Sequence, residues 1–528
     1  MCAMNIDLPM LAHVRRNICE CGNWLPCVAR CCGNLVYSCN DAEAILSYTI
    51  MLMRPTSHRW KIGMRCCAGL AAALALPACI SMAPRYRAPE TPIADQYPAD
   101  ANALPGAVET LDWRDVFVDP GLQALIEEAW RNNRNLRAAV LRTEEARALR
   151  GVQRSEFFPA VNAAVAGSRN RTPADVSIIG QSYTSTAYQA TVGVSAWELD
   201  FWGRVRSLST AALENYLATE AARRAAMVSL AAQVADAWLA QRELDQRIEL
   251  ARQSIASREE TFRIFRRRAE EGASSQMEVT QAETLLRQAQ GLAAQLEQSR
   301  ATNSHALTLL VGAPIDLPVQ TGAFDAADPI RNLRVGLPSS LLTQRPDILE
   351  AEHQLKSAYA NIGAARAAFF PSISLTGDYG VASDELNGLF DAGGRSWRFT
   401  PTIALPIFNG GRLRSNLDVA QVRRNLAVSS YELTVQAAFR DVADALTNQQ
   451  WLLEQVGVQR LALTAQRERA RLAQLRFENG AAAYLEVLDA QRDLLSAEQS
   501  LVQLQRALQS SRVGLFAAVG GGALGAGD

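Results

Sequence analysis

Few residues in this chain of 528 have the types and spacing that chemistry needs. All ten cysteines stand at or before Cys79, so nothing beyond that point can form a disulfide, act as a thiolate nucleophile or ligate a metal through sulfur. Past it only His305 and His353 remain of the histidines, each alone on a helical pattern, which suits a surface or packing role better than a base or a ligand. Neither a His-Glu-x-x-His pair nor a Gly-x-Ser-x-Gly elbow occurs. Gly520, Gly522 and Gly525 satisfy a dinucleotide-type spacing, but close to the terminus with no helix to follow, so residues 516–528 read as a flexible Gly-rich tail. The expectation is no enzyme, no cofactor and no metal site. With 53 basic and 54 acidic residues the net charge is −1, and electrostatics names no polyanionic partner.

The remaining chemistry is at the amino end. From Met53 a basic stretch leads into the apolar run Cys66 to Ala78. That run is shorter than the about 20 apolar residues a membrane-spanning helix needs, so residues 53–78 read as a cleaved export signal. Its end, Leu76-Pro77-Ala78-Cys79, resembles the lipobox of bacterial lipoproteins, in which the cysteine becomes the acylated first residue; Pro77 departs from it. The competing reading is a plain secretory signal cut nearby. By the sorting rule of such lipoproteins, Asp after the cysteine retains the protein at the inner membrane; here Ile80 points to the outer membrane. Residues 1–52 carry Cys2, Cys19, Cys21, Cys27, Cys31, Cys32 and Cys39 in a spacing that fits no common zinc finger. They read as an extension upstream of the true start, against the alternative of a cysteine-rich domain.

The elements downstream are written twice. Residues 79–110, rich in proline, form an extended strap. Then Phe157-Phe158-Pro159 recurs as Phe369-Phe370-Pro371, and Gly203-Arg204-Val205-Arg206-Ser207 as Gly411-Arg412-Leu413-Arg414-Ser415. Arg268, Glu270, Gly272, Glu278, Val279 and Ala282 reappear as Arg476, Glu478, Gly480, Glu486, Val487 and Ala490. The offset is 212 residues at the first match and 208 at the others, so one loop is longer. A duplication accounts for this, with repeats at 111–320 and 344–515 joined by a connector at 321–343.

Each copy changes period in the same order. Pro120 to Gln153 has helical spacing. Two alternating segments follow: Val161, Ala163 and Val165, then Tyr188, Ala190, Val192 and Val194 in the first copy; Ile373, Leu375, Tyr379 and Val381, then Trp397, Phe399, Ile403 and Leu405 in the second. Period two predicts two strands per copy, joined by polar loops at about 169–185 and 383–394. Residues 204 to 271 then hold neither Pro nor Gly, enough for a helix of roughly 100 Å. At Gly272, and again at Gly480, the rod is expected to turn back as an antiparallel hairpin.

Four strands cannot close a barrel, and bare edges in lipid are prohibitively costly, so other copies of the chain must complete the sheet. Twelve strands from three chains would leave a passage. Apolar faces turn to lipid and polar faces to water, with Trp197, Phe201, Trp202, Trp397 and Phe399 near the strand ends, where interfacial girdles belong.

The sequence resembles the outer-membrane factors of tripartite efflux pumps, specifically the lipoprotein branch serving resistance-nodulation-division transporters. The resemblance covers about Cys79 to Val519. It rests on Pro84-Arg85-Tyr86-Arg87-Ala88-Pro89, Asp112-Trp113-Arg114 with Asp119-Pro120, and Gln344-Arg345-Pro346-Asp347-Ile348 followed by Glu350-Ala351-Glu352. It implies an α+β membrane protein: a homotrimer with a twelve-stranded β-barrel, four strands per chain, continued by a long helical barrel. It also implies a tunnel mouth at Gly272 and Gly480, where an adaptor grips the hairpin ends (Arg268, Gly272, Arg476, Gly480) and an inner-membrane pump supplies energy. Leu485 would form a hydrophobic ring in the gate and Asp489 a carboxylate ring, with Glu486 close by. Where some relatives tie the mouth shut with a Tyr and an Arg, this chain has Phe477 and Ala482, and the contact shifts toward Tyr484. The alternative class is a periplasmic adaptor or coiled-coil scaffold lipoprotein, which predicts a single hairpin and a lipoyl-like β region.

Overall fold

A computed structural model describes residues 81–90, 93–94, 112–319, 328–333, 342, 344–391 and 393–522. All fall within one compact unit, Ala78–Asp528. The readings of residues 1–52, the signal at 53–78, Cys79, Gly525 and most of the connector lie outside the described residues.

The chain enters through two short, explicitly capped helices. Asp112 accepts a hydrogen bond from the Arg114 amide at the head of α1 (Trp113–Val116), and Asp119 does the same for Leu122 in α2 (Pro120–Asn132). Pro120 occupies the first helical turn, where its missing N–H costs nothing. The predicted continuous helix from Pro120 to Gln153 is interrupted. Asn133 leaves helical geometry, accepts from the Asn135 and Leu136 amides to cap α3 (Arg134–Ser155), and donates through Nδ2 to the Leu310 carbonyl at 2.7 Å. A side chain that satisfies two helix-end amides and a distant carbonyl outweighs helix continuity.

Strands β1 (Val161–Thr172) and β2 (Tyr183–Glu198) follow, then α4 (Arg204–Glu270) and α5 (Gln276–Val311). The second copy repeats the series as α6 (Pro346–Ala367), β3 (Ser372–Ser383), β4 (Arg395–Ala404), α7 (Arg412–Glu478) and α8 (Tyr484–Ala518). The four strands form one antiparallel sheet in the order β1-β2-β3-β4. The loop expected at 169–185 is shorter than predicted: Arg169 to Thr172 pair as strand with Tyr183 to Thr186. Polarity marked these residues as loop, but they carry the ladder past the apolar zone.

Both long helices, α4 and α7, have 67 residues, each about 100 Å. Their hairpins turn where left-handed backbone is needed, at Gly272 (φ 75°) and Gly480 (φ 69°). Buried alanines (Ala231, Ala235, Ala251, Ala438) let neighbouring helices approach closely. The largest core cluster sits where α1 and α2 meet the middle of the rods. There Trp113 lies edge-on to Trp130 at 4.8 Å and Phe117 to Phe516 at 4.9 Å. Full burial of side chains of this size stabilises by about 1.5–3 kcal/mol each.

Phe516 corrects the expected tail. It is buried, α8 runs through Ala518, and the Gly521 amide returns to the Phe516 carbonyl at 2.9 Å, a helix-ending loop built on the left-handed Gly520 and Gly521. Residues 516–522 therefore belong to the packed body rather than to a flexible tail.

Candidate functional site

Two regions of the chain are built for more than packing: the sheet and the hairpin ends. In the sheet, directly paired residues share a face, so the register sorts every side chain. One face carries Val161, Val165, Ala190, Val192, Tyr379, Val381, Trp397, Phe399 and Ile403; the other carries Asn162, Ser168, Gln189, Thr191, Asp378, Thr376, Arg398 and Thr402. The apolar face is uncovered by the chain itself, with Val165 81% and Trp397 76% exposed. On the opposite face Arg398 pairs with Asp378 directly across the ladder at 3.5 Å.

A bulge preserves this sorting. Ala196 takes positive φ (51°) and the pairing slips between Val194 and Trp197. Without the extra residue Trp197 would fall on the polar face; with it, Trp197 sits opposite Leu375 on the apolar face. Trp202, expected in an interfacial girdle, instead stacks on Phe370 at 4.8 Å and donates to the Pro371 carbonyl at 2.8 Å. Phe369-Phe370-Pro371 is thus a seat for the start of α4. There Asp200 accepts the Val205 and Arg206 amides, doing the capping that Gly203 cannot. Glu198 holds Arg204 with a closest contact of 2.7 Å.

The motifs behind the resemblance have structural work. Tyr86 of the strap donates to Glu352 at 3.0 Å and lies edge-on to Tyr359. Gly363 leaves room for the strap, since a Cβ there would lie 2.7 Å from Ala83. Arg345, buried at the head of α6, reaches the last turn of α8 and the middle of α7.

At the far ends of the rods the structure separates the residues expected in the gate. Tyr484, Val487 and Leu488 of α8 are buried, while Leu485 is 51% exposed and Asp489, one turn on, is half-exposed and pairs with Arg492 at 3.3 Å. Glu486 binds Arg476 at 2.6 Å. In the first hairpin the equivalent Arg268 lies over the Phe265 ring instead. The reason is a single N-cap. Ser275 and Glu278 form a reciprocal capping box at the start of α5, and hydrogen bonds from the Ser275 amide and the Ser274 hydroxyl hold the Glu278 carboxyl below its ordinary pKa. The matching residue at the start of α8 is Ala483, which cannot cap, so Glu486 is released to Arg476. The Ser-x-x-Glu against Ala-x-x-Glu difference was readable once the copies were aligned.

Ala483→Ser should restore the box and stabilise the first turn of α8 by about 1 kcal/mol, slowing hydrogen exchange of its amides roughly fivefold. Unchanged exchange would contradict this account of the tip.

The two hairpins are tied inside one chain. The Tyr484 hydroxyl donates to Thr261 Oγ1 of α4 at 3.0 Å, and its ring meets Phe265 at 4.3 Å and Phe477 at 4.8 Å. Phe477 therefore packs rather than hydrogen-bonds. Sequence reasoning pointed to Tyr484 but had no means to find Thr261, 223 residues away.

Midway along the rods, Asp236 of α4 faces Ser510 and Arg506 of α8, with Oδ1 buried and unpartnered. Burial pushes its carboxyl above the ordinary carboxylate range, more than those neighbours offset. A raised folded-state pKa means the proton is held more tightly in the folded chain. Its stabilising contribution is full below the unfolded value and is lost as pH rises through the folded one. Asp236→Asn should therefore raise thermal stability at neutral pH and match the parent protein in acid, as melting curves across pH would record.

A two-faced sheet whose two edges are unpaired among the described residues, carried on paired helical rods, is the architecture shared with solved outer-membrane channels. Among the described residues no helix is long and apolar enough to cross a membrane. The profile of the family described as outer membrane efflux protein matches residues 125–313 and 337–521. The chain is 42% identical over 454 residues to outer membrane protein OprJ of Pseudomonas aeruginosa, covering 85% of this chain and 94% of that protein. It is also 42% identical over 447 residues to the toluene efflux pump outer membrane protein TtgC of Pseudomonas putida, covering 84% and 92%. Among solved structures it resembles a membrane protein from Pseudomonas aeruginosa (TM-score 0.77, 40% identity, 84% of this chain and 100% of that one). It likewise resembles the open state of the MtrE outer membrane channel of Neisseria gonorrhoeae (TM-score 0.75, 37% identity, 84% and 98%). The chain belongs to the outer membrane efflux protein family.

Proposed function

We propose that this outer-membrane efflux protein is the passive exit duct of a tripartite pump, working as a homotrimer whose three sheets close into one twelve-stranded barrel. The observation that carries the reading is the sheet itself. The outer edges of β1 and β4 have no partner among the described residues, and unpaired backbone groups in lipid cost several kcal/mol each. Pairing β4 of one copy with β1 of the next removes every edge. Exposed apolar stripes support the same closure below the membrane: Val419, Val422, Leu426 and Leu433 on α7, and Leu141, Leu149 and Val152 on α3. Within the chain α3 packs on α4, and α6 on α4 and α7, which leaves α3 and α7 as the flanks of the row.

In this reading the mature chain begins at an acylated Cys79 and the strap ties the anchor to α6. The two repeats, 111–320 and 344–515, each supply a strand pair and a hairpin. Leu485 and Asp489, on one exposed face of α8, with Glu486 beside them, converge at the mouth as a hydrophobic and a carboxylate ring. A periplasmic adaptor grips the hairpin ends at Arg268, Gly272, Arg476 and Gly480, and an inner-membrane pump of the resistance-nodulation-division class drives transport. Similar proteins named for antibiotic and toluene efflux support small, largely apolar solutes as cargo. Two hairpins and a single four-stranded sheet weigh against the adaptor alternative. Purified protein should run as a heat-modifiable trimer and give stepwise ion conductance in planar bilayers. A monomer without conductance would refute the duct.

A further inference from the structure

The apolar face of the sheet ends in guanidinium groups that the chain leaves unpaired. Arg169 and Arg171 of β1 continue the face of Val161 and Val165, being separated from them by even numbers of residues; Arg395 of β4 continues the face of Trp397 and Phe399 and lies opposite Val381. All three are exposed, and none of their guanidinium groups makes a hydrogen bond or ion pair among the described residues. The polar face differs, since its Arg398 is held by Asp378. The cross-strand neighbours of Arg169 and Arg171 are the hydroxyl-bearing Thr186 and Thr184. Asp175, Asp384, Glu385 and Asp391 lie in the two adjoining turns, and none bridges these arginines.

Topology gives the level of these groups. All four strand-to-helix connections leave the same end of the sheet, and the turns at 173–182 and 384–394 form the other. Arg169, Arg171 and Arg395 stand at the turn end. With the rods in the periplasm, that end lies in the outer leaflet, where headgroups carry phosphate. β1 and β4 are also the edge strands that meet when the ring closes, so Arg395 of one copy and Arg169 and Arg171 of the next flank the same seam. Arginine binds phosphate through paired N–H donors, and above an apolar wall the attraction is less screened than in bulk water.

We propose that each seam binds the phosphorylated headgroup of an outer-leaflet lipid through Arg169, Arg171 and Arg395, with its acyl chains on the apolar face below. The inference rests on the trimeric duct described above. Its test is native mass spectrometry of the detergent-purified trimer with diphosphoryl lipid A or its dephosphorylated form, with planar-bilayer conductance recorded on the same samples. R169Q/R171Q/R395Q should bind diphosphoryl lipid A about tenfold more weakly than the parent, with R395Q alone intermediate and R398Q unchanged. Dephosphorylated lipid A should bind the parent and the triple variant alike. Equal retention of diphosphoryl lipid A by the triple variant would overturn the site. So would an equal loss in R398Q, or displacement by inorganic phosphate alone, which would mark a free-anion site. A conducting trimer without phosphate preference sinks the lipid site only; absence of a conducting trimer sinks the duct and the site together.

Discussion

Replacing Gly380 with valine is expected to abolish both the heat-resistant trimer and the bilayer conductance while leaving most of the helical circular dichroism intact. Gly380 lies in β3 where it meets β2, the joint between the two copies of the repeat. A Cβ there would overlap the Ala190 carbonyl oxygen and stand 2.7 Å from the Thr191 Cα, both of them backbone atoms that cannot rotate away. The contact is reciprocal in kind: a Cβ on Gly193 of β2 would lie 2.5 Å from the Gly377 carbonyl oxygen. Overpacking into side chains costs about 1–3 kcal/mol, and a clash with a paired strand exceeds it because the ladder must separate. Gly151 on α3 is the contrast. Nothing lies within 4 Å of a Cβ there, and Gly151→Ala should be neutral or stabilising by up to about 1 kcal/mol. A Gly380→Val protein that still assembles and conducts would mean that β2 and β3 are not held in this register.

Arg345→Met is expected to cost about 1–3 kcal/mol, the penalty of leaving buried carbonyl acceptors unsatisfied while the half-exposed Asp347 and Asp441 turn to water. Arg345 is 8% exposed. It grips Asp347 with Nη2 at 2.6 Å and Nε at 3.0 Å, donates to the Ala518 carbonyl at 3.0 Å, and faces Asp441 at 3.3 Å. Burial opposes its charge, but the hydrogen-bonded Asp347 and then Asp441 outweigh it, holding its pKa above the ordinary arginine value. One side chain therefore joins the head of α6, the side of α7 and the tail of α8. Its loss should speed hydrogen exchange in the first turn of α6 and the last turn of α8 by about tenfold or more. Lysine should rescue only in part, having no planar fork for Asp347. Exchange unchanged at either helix end would show that the network is not what holds these elements together.

The hairpins were legible because glycine at 272 and 480 is the residue that left-handed backbone favours, and the rods because their long runs hold no Pro. The two-faced strands were legible because apolar and polar residues alternate with period two along each of them. Other features depend on contacts that no local pattern carries. Asn133 is tolerable inside a helix and becomes a break only because the Leu310 carbonyl is within reach. The bulge at Ala196 shows in sequence only as Val194 and Trp197 falling out of phase. Phe516 read as the start of a tail because its partner, Phe117, lies at the other end of the described chain. Trp202 suited an interfacial belt by type and position, and only the fold shows it stacked on Phe370.

Copies of this chain are expected to close their sheets around a wet passage with the apolar face toward lipid. Electron cryomicroscopy of the protein in lipid nanodiscs tests it most directly. Three chains should surround one axis with twelve strands in a ring, Val165, Tyr379 and Trp397 against the acyl chains, and Asp378 and Arg398 toward the lumen. A single chain with β1 and β4 unpaired, or a ring with Asp378 and Arg398 facing lipid, would contradict it.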